Sequence, residues 1–97
     1  MSSHPDFTQW QDVLELVKKN INQYEDIDIL TMLMSADERQ TLISRVNIFN
    51  ELLKGDLSQR QISQMLGVGI ATITRGSNEL KSCTDEQKNQ LRALLSE

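Results

Sequence analysis

A glycine turn followed by small and polar residues is typical of a surface that reads DNA. Ser58-Gln-Arg-Gln61 opens a short helix predicted from Gln59 to about Leu66, and Gly67-Val-Gly69 separates it from a second helix. That second helix begins with Ile70-Ala71-Thr72, whose short side chains would let backbone and methyl groups approach base edges. Its first amides could also bind a phosphate. A plain helical hairpin in a bundle would produce the same apolar spacing, so a structural role stays open.

The spacing of apolar residues around this turn predicts a helix-turn-helix over residues 59–81. Gly67 falls where such a turn needs a left-handed residue. The positions where the two helices must contact each other and the rest of the protein are all apolar: Ile62, Leu66, Val68 and Ile73.

Arg45 is a second candidate for chemistry, because it interrupts the apolar face of a longer helix. At ~100° per residue counted from Leu42, it falls at ~300°, within the arc that Leu52 and Phe49 border. Two interpretations stay open. The side chain either reaches solvent or pairs with a carboxylate, or an anion or planar ligand binds against it.

Catalytic and metal chemistry find little support in the residue types. One cysteine, Cys83, excludes an intramolecular disulfide and a cysteine zinc site, and one histidine, His4, cannot supply the missing ligands. These two residues are poorly placed for a catalytic dyad, and the carboxylates fall on solvated faces and helix caps. We therefore expect neither an enzyme nor a metal or cofactor site.

The elements that would position these residues are six short helices, which predict an all-α fold. Apolar residues from Trp10 to Tyr24 recur at helical spacing and predict a first helix of about four turns, and a short second helix ends near Met34. Three capping boxes open the third helix at Ala36, the fourth at Gln59 and the sixth after Thr84.

The third helix and the size of the chain indicate that a second copy completes the fold. Apolar residues cover more than half of this helix before Gly55 ends it, which is typical of a central helix covered on several sides. A chain of 97 residues with one Trp, one Tyr and two Phe buries only ~60–65% of its unfolded surface. We expect a single helical domain over residues 1–97, with residues 1–6 as a flexible arm.

Charge is unevenly distributed along the chain. The formal net charge of −4 argues against diffuse nucleic-acid binding, yet residues 58–81 carry three bases and one acid, so this part can present a basic face. The N-terminus has no basic flank, and no stretch reaches the ~20 apolar residues that cross a bilayer. These features predict a cytoplasmic protein with no membrane partner.

The stretch from Leu53 to Lys81 closely resembles the tryptophan repressor family, most specifically through the run GIATITRGSN at residues 69–78. The upstream run MLMSADERQTLISRVNIFNELLKG resembles the helix that precedes this unit in the family, so the resemblance covers roughly residues 30–95. It implies a bacterial repressor that forms an intertwined homodimer of six-helix chains. Such a repressor binds L-tryptophan as corepressor and then the double-stranded operator DNA of tryptophan biosynthesis genes.

The resemblance also implies two sets of site residues. The corepressor would contact Met32, Met34, Ser35, Arg45, Arg75, Gly76 and Glu79. The DNA bases or grooves would face Gln59, Arg60, Ile70, Ala71, Thr72 and Thr74, and phosphates would contact Ser44, Asn78 and Lys81.

The resemblance assigns roles within the corepressor set. Arg45 and Arg75 would lie on either side of the indole, with Arg75 also pairing with the ligand carboxylate. The hydroxyl of Ser35 would help hold that carboxylate. Met32 and Met34 of the other subunit would offer backbone carbonyls to the ligand ammonium.

Gly76 would let the indole ring approach the helix. Three positions of the chain depart from the family pattern. Ser35 stands where threonine is familiar, and Glu79 where a serine helps hold the ammonium. Ser63 stands where a lysine often contacts phosphate, which should reduce the salt dependence of DNA binding by about one counterion.

The implied mechanism is a switch in which the ligand fixes the angle of the second helix of the DNA-reading unit. Both subunits would then fit successive major grooves of the DNA. These grooves lie ~34 Å apart in the complexes of helix-turn-helix repressors, of which the Trp repressor is a known example. Two alternatives stay open from the residues alone. One is a ligand-independent helix-turn-helix module, and the other is a helical protein-interaction domain.

Overall fold

The computed structural model describes residues 4–24 and 26–96, and within them all regular structure is helical. Its six helices are α1 (Trp10–Gln23), α2 (Ile29–Leu33), α3 (Ala36–Lys54), α4 (Gln59–Leu66), α5 (Ile70–Lys81) and α6 (Asp85–Leu95). The predicted all-α fold of six helices is confirmed. Of the predicted arm, residues 1–3 lie outside the described residues, and residues 4–6 are exposed.

Reciprocal side-chain caps begin α3, α4 and α6, as the sequence predicts. At the start of α3, the Ser35 hydroxyl accepts from the Glu38 amide at 3.1 Å, and the Glu38 carboxylate accepts from the Ser35 amide at 2.8 Å. The same pairs form before α4 and α6. Each cap satisfies backbone amides that no carbonyl of the helix can reach, which typically contributes ~1 kcal/mol.

The cap of α3 should make stability depend on pH. Hydrogen bonds first from the Ser35 backbone and then from its side chain hold the pKa of Glu38 below its ordinary value of 4.5. Because the folded-state pKa is the lower one, this contribution is complete above 4.5 and is lost as the pH falls through the folded pKa. We expect Glu38→Gln, which keeps an acceptor but does not titrate, to lose less stability than the unaltered chain in that acidic window.

Thermal melting followed by circular dichroism between about pH 6 and pH 3.5 checks this expectation. Glu86→Gln removes the same charge from the first turn of α6 and should leave the slope of melting temperature against pH unchanged. Equal slopes for Glu38→Gln and the unaltered chain would show that the cap carboxylate does not contribute.

The chain divides into two compact units between Arg39 and Gln40, and in the first unit one side chain joins α1 to α2. The Asn20 amide nitrogen donates to the carbonyls of Tyr24 and Ile27 at 2.9 and 2.7 Å, and its oxygen accepts from the Ile29 amide at 3.1 Å. Backbone groups between two helices lack helical partners and must be satisfied in another way. The Asn20 side chain supplies hydrogen bonds to these backbone groups.

Asn20→Ala should therefore lower the free energy of unfolding by about 1–3 kcal/mol, because the Ile27 carbonyl and the Ile29 amide lose their partner and the Tyr24 carbonyl keeps only the Ile27 amide. Urea unfolding at one fixed protein concentration measures the change. Asn22→Ala is the matched control, since Asn22 is an exposed residue of the same helix and should cost far less. Equal losses for the two variants would contradict the role of Asn20.

In the second unit a small core lies beneath α4 and α5. Ile48 of α3, Ile62 of α4 and Ile73 of α5 are completely buried against one another, and Leu66 and Val68 pack on them. Burial of each isoleucine contributes about 1.5–3 kcal/mol. The predicted contact positions of the helix-turn-helix are thus confirmed as the core that holds α5 in place.

The first half of α3 differs from the expected central helix. Leu42, Ile43 and Val46 are about half exposed, whereas Ile48 is completely buried. Trp10 and Ile21 of α1 are likewise exposed, at 71% and 65%. Apolar surface of this extent is usually covered by another chain, and the intertwined homodimer that would cover it stays a prediction.

Candidate functional site

The turn between α4 and α5 has the left-handed glycine that the sequence predicts. Gly67 has φ 67° and ψ 32°, and its amide and that of Val68 donate to the Ser63 carbonyl at 2.9 and 3.2 Å. No atom lies within 4 Å of where a Cβ on Gly67 would stand. The backbone conformation, and not crowding, therefore requires glycine here.

Ser63 has a role in this turn that the sequence analysis missed. Its hydroxyl donates to the Val68 carbonyl at 2.5 Å, so both its backbone and its side chain hold the turn closed. Serine side chains commonly bond nearby backbone groups at turns, and that tendency was the available signal. Ser63 thus stabilises the turn, and it also leaves the surface without the positive charge that a lysine would provide at this position.

The first two residues of α5 are open to solvent, whereas Thr72 is half-buried and Ile73 is buried. Ile70 is 50% exposed and Ala71 is exposed. The capping residue, Gly69, contributes no side-chain hydrogen bond, so among the described residues no side chain occupies the amides at this helix start. A helix start carries a partial positive charge and unpaired amides, both of which favour a phosphate.

Two candidate base contacts from different helices lie side by side. The Thr74 hydroxyl of α5 is 3.1 Å from Gln59 Oε1 of α4, and equally far from the Ile70 carbonyl within its own helix. Contact with Thr74 orients the Gln59 amide and leaves its nitrogen to donate elsewhere. The exposed Arg60 follows on α4.

The remaining candidates for DNA contact also belong to the second unit. Asn78 and Lys81 are exposed on α5, and Ser44 is half-buried on α3. Eight of the nine candidates for DNA contact therefore lie on α4 and α5, whose bounds coincide with those predicted.

An ion pair joins α3 to α5. Arg45 donates through Nη1 to Glu79 Oε2, and the two side chains are 29% and 54% exposed. Arg45 thus lies within an apolar arc because a carboxylate from another helix pairs with it, one of the interpretations that the sequence left open. Both side chains are partly exposed, so a ligand can still reach the Arg45 guanidinium and the Glu79 carboxylate.

Arg75 lies on the same face of α5 as Glu79, one helical turn earlier, because residues four apart are neighbours on a helix surface. It is exposed, and no hydrogen bond or ion pair engages its side chain within the described part of the chain. We refer below to Arg45, its partner Glu79 and the helical neighbour Arg75 as the charged cluster, which contains two cations and one anion.

Gly76 is buried, and it is required by the packing of α5 on α3. A Cβ at this position would lie 2.8 Å from Ile48 Cγ2 and 3.8 Å from Phe49 Cε1. The first distance is shorter than real side chains tolerate. The packing of the chain therefore requires glycine at this position, independently of any contact with a ligand.

The other candidate ligand residues lie at the junction of α2 and α3, in the first unit. Met32 is 72% exposed and Met34 is half-buried. The Met34 carbonyl accepts from Arg39 Nη1 at 2.7 Å, and its second lone pair remains for another donor. The Ser35 hydroxyl is engaged as the cap of α3.

The described residues contain neither a group suited to a metal ion nor a helix suited to a membrane. No group of three or more His, Cys, Asp or Glu there could hold a metal ion. None of the helices in the described ranges has both the length and the apolar character to span a bilayer. Cys83 is a half-buried free thiol.

Comparison with known proteins finds relatives over nearly the whole chain. A family model described as Trp repressor protein matches residues 8–95. The chain is 63% identical over 95 residues to a Trp operon repressor homolog of Vibrio vulnificus (strain YJ016), covering 98% of this chain and 93% of that protein. Homologs of the same name from Vibrio cholerae serotype O1 and Aliivibrio fischeri (strain MJ11) are 61% and 58% identical, over 98% of this chain and 92% and 88% of theirs.

Proposed function

The chain belongs to the Trp repressor family, whose members are transcription regulators and not enzymes, and we propose that it represses tryptophan biosynthesis genes when L-tryptophan is bound. One observation carries the proposal. Helix α5 bears the exposed Ile70 and Ala71 at its start and two members of the charged cluster, Arg75 and Glu79, further along. A ligand at the cluster would therefore act directly on the helix that we propose to read DNA.

L-tryptophan has the groups that the charged cluster can bind. Its carboxylate would pair with Arg75, which is exposed and donates to no other group in the described chain. Guanidinium groups stack on aromatic faces, so Arg45 and Arg75 would lie on either side of the indole. Glu79, with the carbonyls of Met32 and Met34 from the other subunit, would face the ammonium, and Ser35 would help hold the carboxylate. Gly76 would let the ring approach α5.

Operator DNA would be read by α5 and the start of α4. The short side chains of the first turn of α5 would face the base edges, and the paired Thr74 and Gln59 would lie beside them. The full proposed contact set is Ser44, Gln59, Arg60, Ile70, Ala71, Thr72, Thr74, Asn78 and Lys81. Positive charge in residues 58–81 favours the phosphate backbone, despite the acidic chain.

The acting species would be an intertwined homodimer in the bacterial cytoplasm, each chain forming one domain. Its interface would cover the exposed apolar faces of α1 and of the first half of α3. Ligand binding would favour the arrangement in which both α5 helices fit the DNA. A coupling of about 1–3 kcal/mol between the ligand and DNA sites corresponds to a 5- to 150-fold change in DNA affinity.

Fluorescence anisotropy of a labelled duplex tests the proposal. The duplex carries the promoter of the host's tryptophan biosynthesis genes, a scrambled duplex of equal composition is the control, and each is titrated with and without L-tryptophan. We expect about 10- to 100-fold tighter binding to the promoter duplex with the amino acid. Equal affinity in both conditions would indicate a ligand-independent module, and retention of neither duplex at moderate salt would favour a protein-interaction domain.

A further inference from the structure

We propose that Ser63 is a positioning residue for DNA binding, whose hydroxyl holds the start of α5 in its DNA-reading orientation before any ligand binds. The inference rests on the proposed function, since it concerns the switch by which L-tryptophan raises DNA affinity. It adds that part of this orientation is built into the turn of the ligand-free chain. Ser63 should therefore raise the affinity of the ligand-free protein for DNA and reduce the factor by which the ligand raises it.

The observation that carries the proposal is that Ser63 binds the backbone of Val68 on both sides of its α-carbon. The Ser63 carbonyl accepts from the Val68 amide at 3.2 Å, and the Ser63 hydroxyl donates to the Val68 carbonyl at 2.5 Å. The first bond, together with the bond from the Gly67 amide, ends α4 in the usual manner of a left-handed glycine cap. The hydroxyl bond is additional, and it reaches beyond the cap toward α5.

The acceptor of the hydroxyl bond belongs to the peptide group that joins the turn to α5. Because a peptide group is planar, the Val68 carbonyl and the Gly69 amide rotate together. Gly69 directly precedes α5, and no atom beyond its chain neighbours lies within 4 Å of where its Cβ would stand. Glycine restricts its own backbone very little, so the bond to the Val68 carbonyl restrains a joint whose rotation would redirect α5.

The surroundings of Val68 connect this restraint to the core of the second unit. Ser63 and Val68 are both half-buried, which shields their hydrogen bond from part of the competing water. The Val68 side chain packs on the buried cluster of Ile48, Ile62 and Ile73. The residue that precedes the cap of α5 is therefore held by α4 through its backbone and by the core through its side chain.

A ligand-dependent switch makes the effect of the hydroxyl unequal in the two states. The apparent affinity of a protein falls with the fraction of its molecules in the binding-competent arrangement. Loss of the hydroxyl bond should lower that fraction in the ligand-free chain. When L-tryptophan is bound at the charged cluster, the ligand itself favours the competent arrangement, so the loss should matter less.

Anisotropy of the promoter duplex with Ser63→Ala, without and with saturating L-tryptophan, tests the proposal. We expect the ligand-free dissociation constant to rise about 2- to 10-fold, the usual effect of one hydrogen bond, and the liganded one to change by less than about 2-fold. The ratio of the two constants should therefore increase.

A second pair of variants repeats the test at equal side-chain shape. Ser63→Thr keeps the hydroxyl and should keep the ratio of the unaltered chain. Ser63→Val replaces that hydroxyl by a methyl group and should behave as Ser63→Ala does. A difference between these two variants reports the hydroxyl itself, because both carry the same branch at Cβ.

Ser82→Ala is the matched control, because the Ser82 hydroxyl also donates to a backbone carbonyl, that of Glu79 at 2.6 Å, at the other end of α5. It should leave the ratio unchanged. Equal weakening of both dissociation constants in Ser63→Ala, or no change in either, would overturn the inference and leave the proposed function standing.

An unaltered chain that binds the promoter duplex without responding to L-tryptophan would overturn the proposed function instead. The ligand-free dissociation constants of Ser63→Thr and Ser63→Val would then still decide the role of the hydroxyl. Tighter binding by Ser63→Thr would support that role, and equal values for the two variants would overturn it.

Discussion

Arg75→Leu is expected to abolish the response to L-tryptophan while the protein stays folded. Arg75 is exposed and makes no ion pair in the described part of the chain, so the fold does not depend on its guanidinium. The ligand would lose both the partner of its carboxylate and one face of its ring contact. Removing one partner of such a pair costs about 2–5 kcal/mol, which corresponds to a weakening of at least about 30-fold.

Calorimetry measures the loss of ligand binding, and promoter anisotropy with and without L-tryptophan measures the loss of response. Arg92→Leu is the matched control, because it removes an arginine from the last turn of α6, away from the proposed site. It should respond to L-tryptophan as the unaltered chain does. A full response in Arg75→Leu would mean that the ligand binds elsewhere.

Gly76→Ala is expected to destabilise the protein, although alanine favours helices. The new Cβ would lie 2.8 Å from Ile48 Cγ2, and Ile48 is completely buried, so neither atom can move without disturbing the core. Overpacking costs about 1–3 kcal/mol, against up to about 1 kcal/mol gained from helix propensity. We expect a net fall in melting temperature of about 5–10 °C.

Gly69→Ala provides the comparison for this prediction. Gly69 has φ −65°, and no atom lies within 4 Å of where its Cβ would stand. The same methyl group should therefore cost less there, below about 1 kcal/mol from the lost glycine cap. If Gly76→Ala melted at or above the temperature of Gly69→Ala, α5 would be free to move away from α3, and the packing account would be wrong.

Local signals in the sequence predicted the helices and the turn between α4 and α5. The capping boxes before α3, α4 and α6 depend only on residues three apart, and the left-handed Gly67 follows from the demands of one turn. The buried Ile62 and Ile73 follow from helical periodicity. Each of these features is decided within one or two helical turns.

Contacts between distant elements were not predictable in this way. The pairing of Arg45 with Glu79 and the approach of Ile48 to Gly76 depend on how α5 packs on α3, and no spacing within one helix encodes that angle. The apolar arc of α3 predicted a helix that is covered on several sides. It could not indicate that its own chain buries only the second half, around Ile48.

The central claim is that the ring of L-tryptophan lies between the guanidinium groups of Arg45 and Arg75 and thereby orients α5 for DNA. A crystal structure of the chain with L-tryptophan tests it most directly. We predict an intertwined dimer with the indole between the two arginines, the ligand carboxylate on Arg75 and the ammonium near Glu79. A ligand bound away from this cluster, the two arginines facing no common cavity, or a monomeric chain would contradict the account.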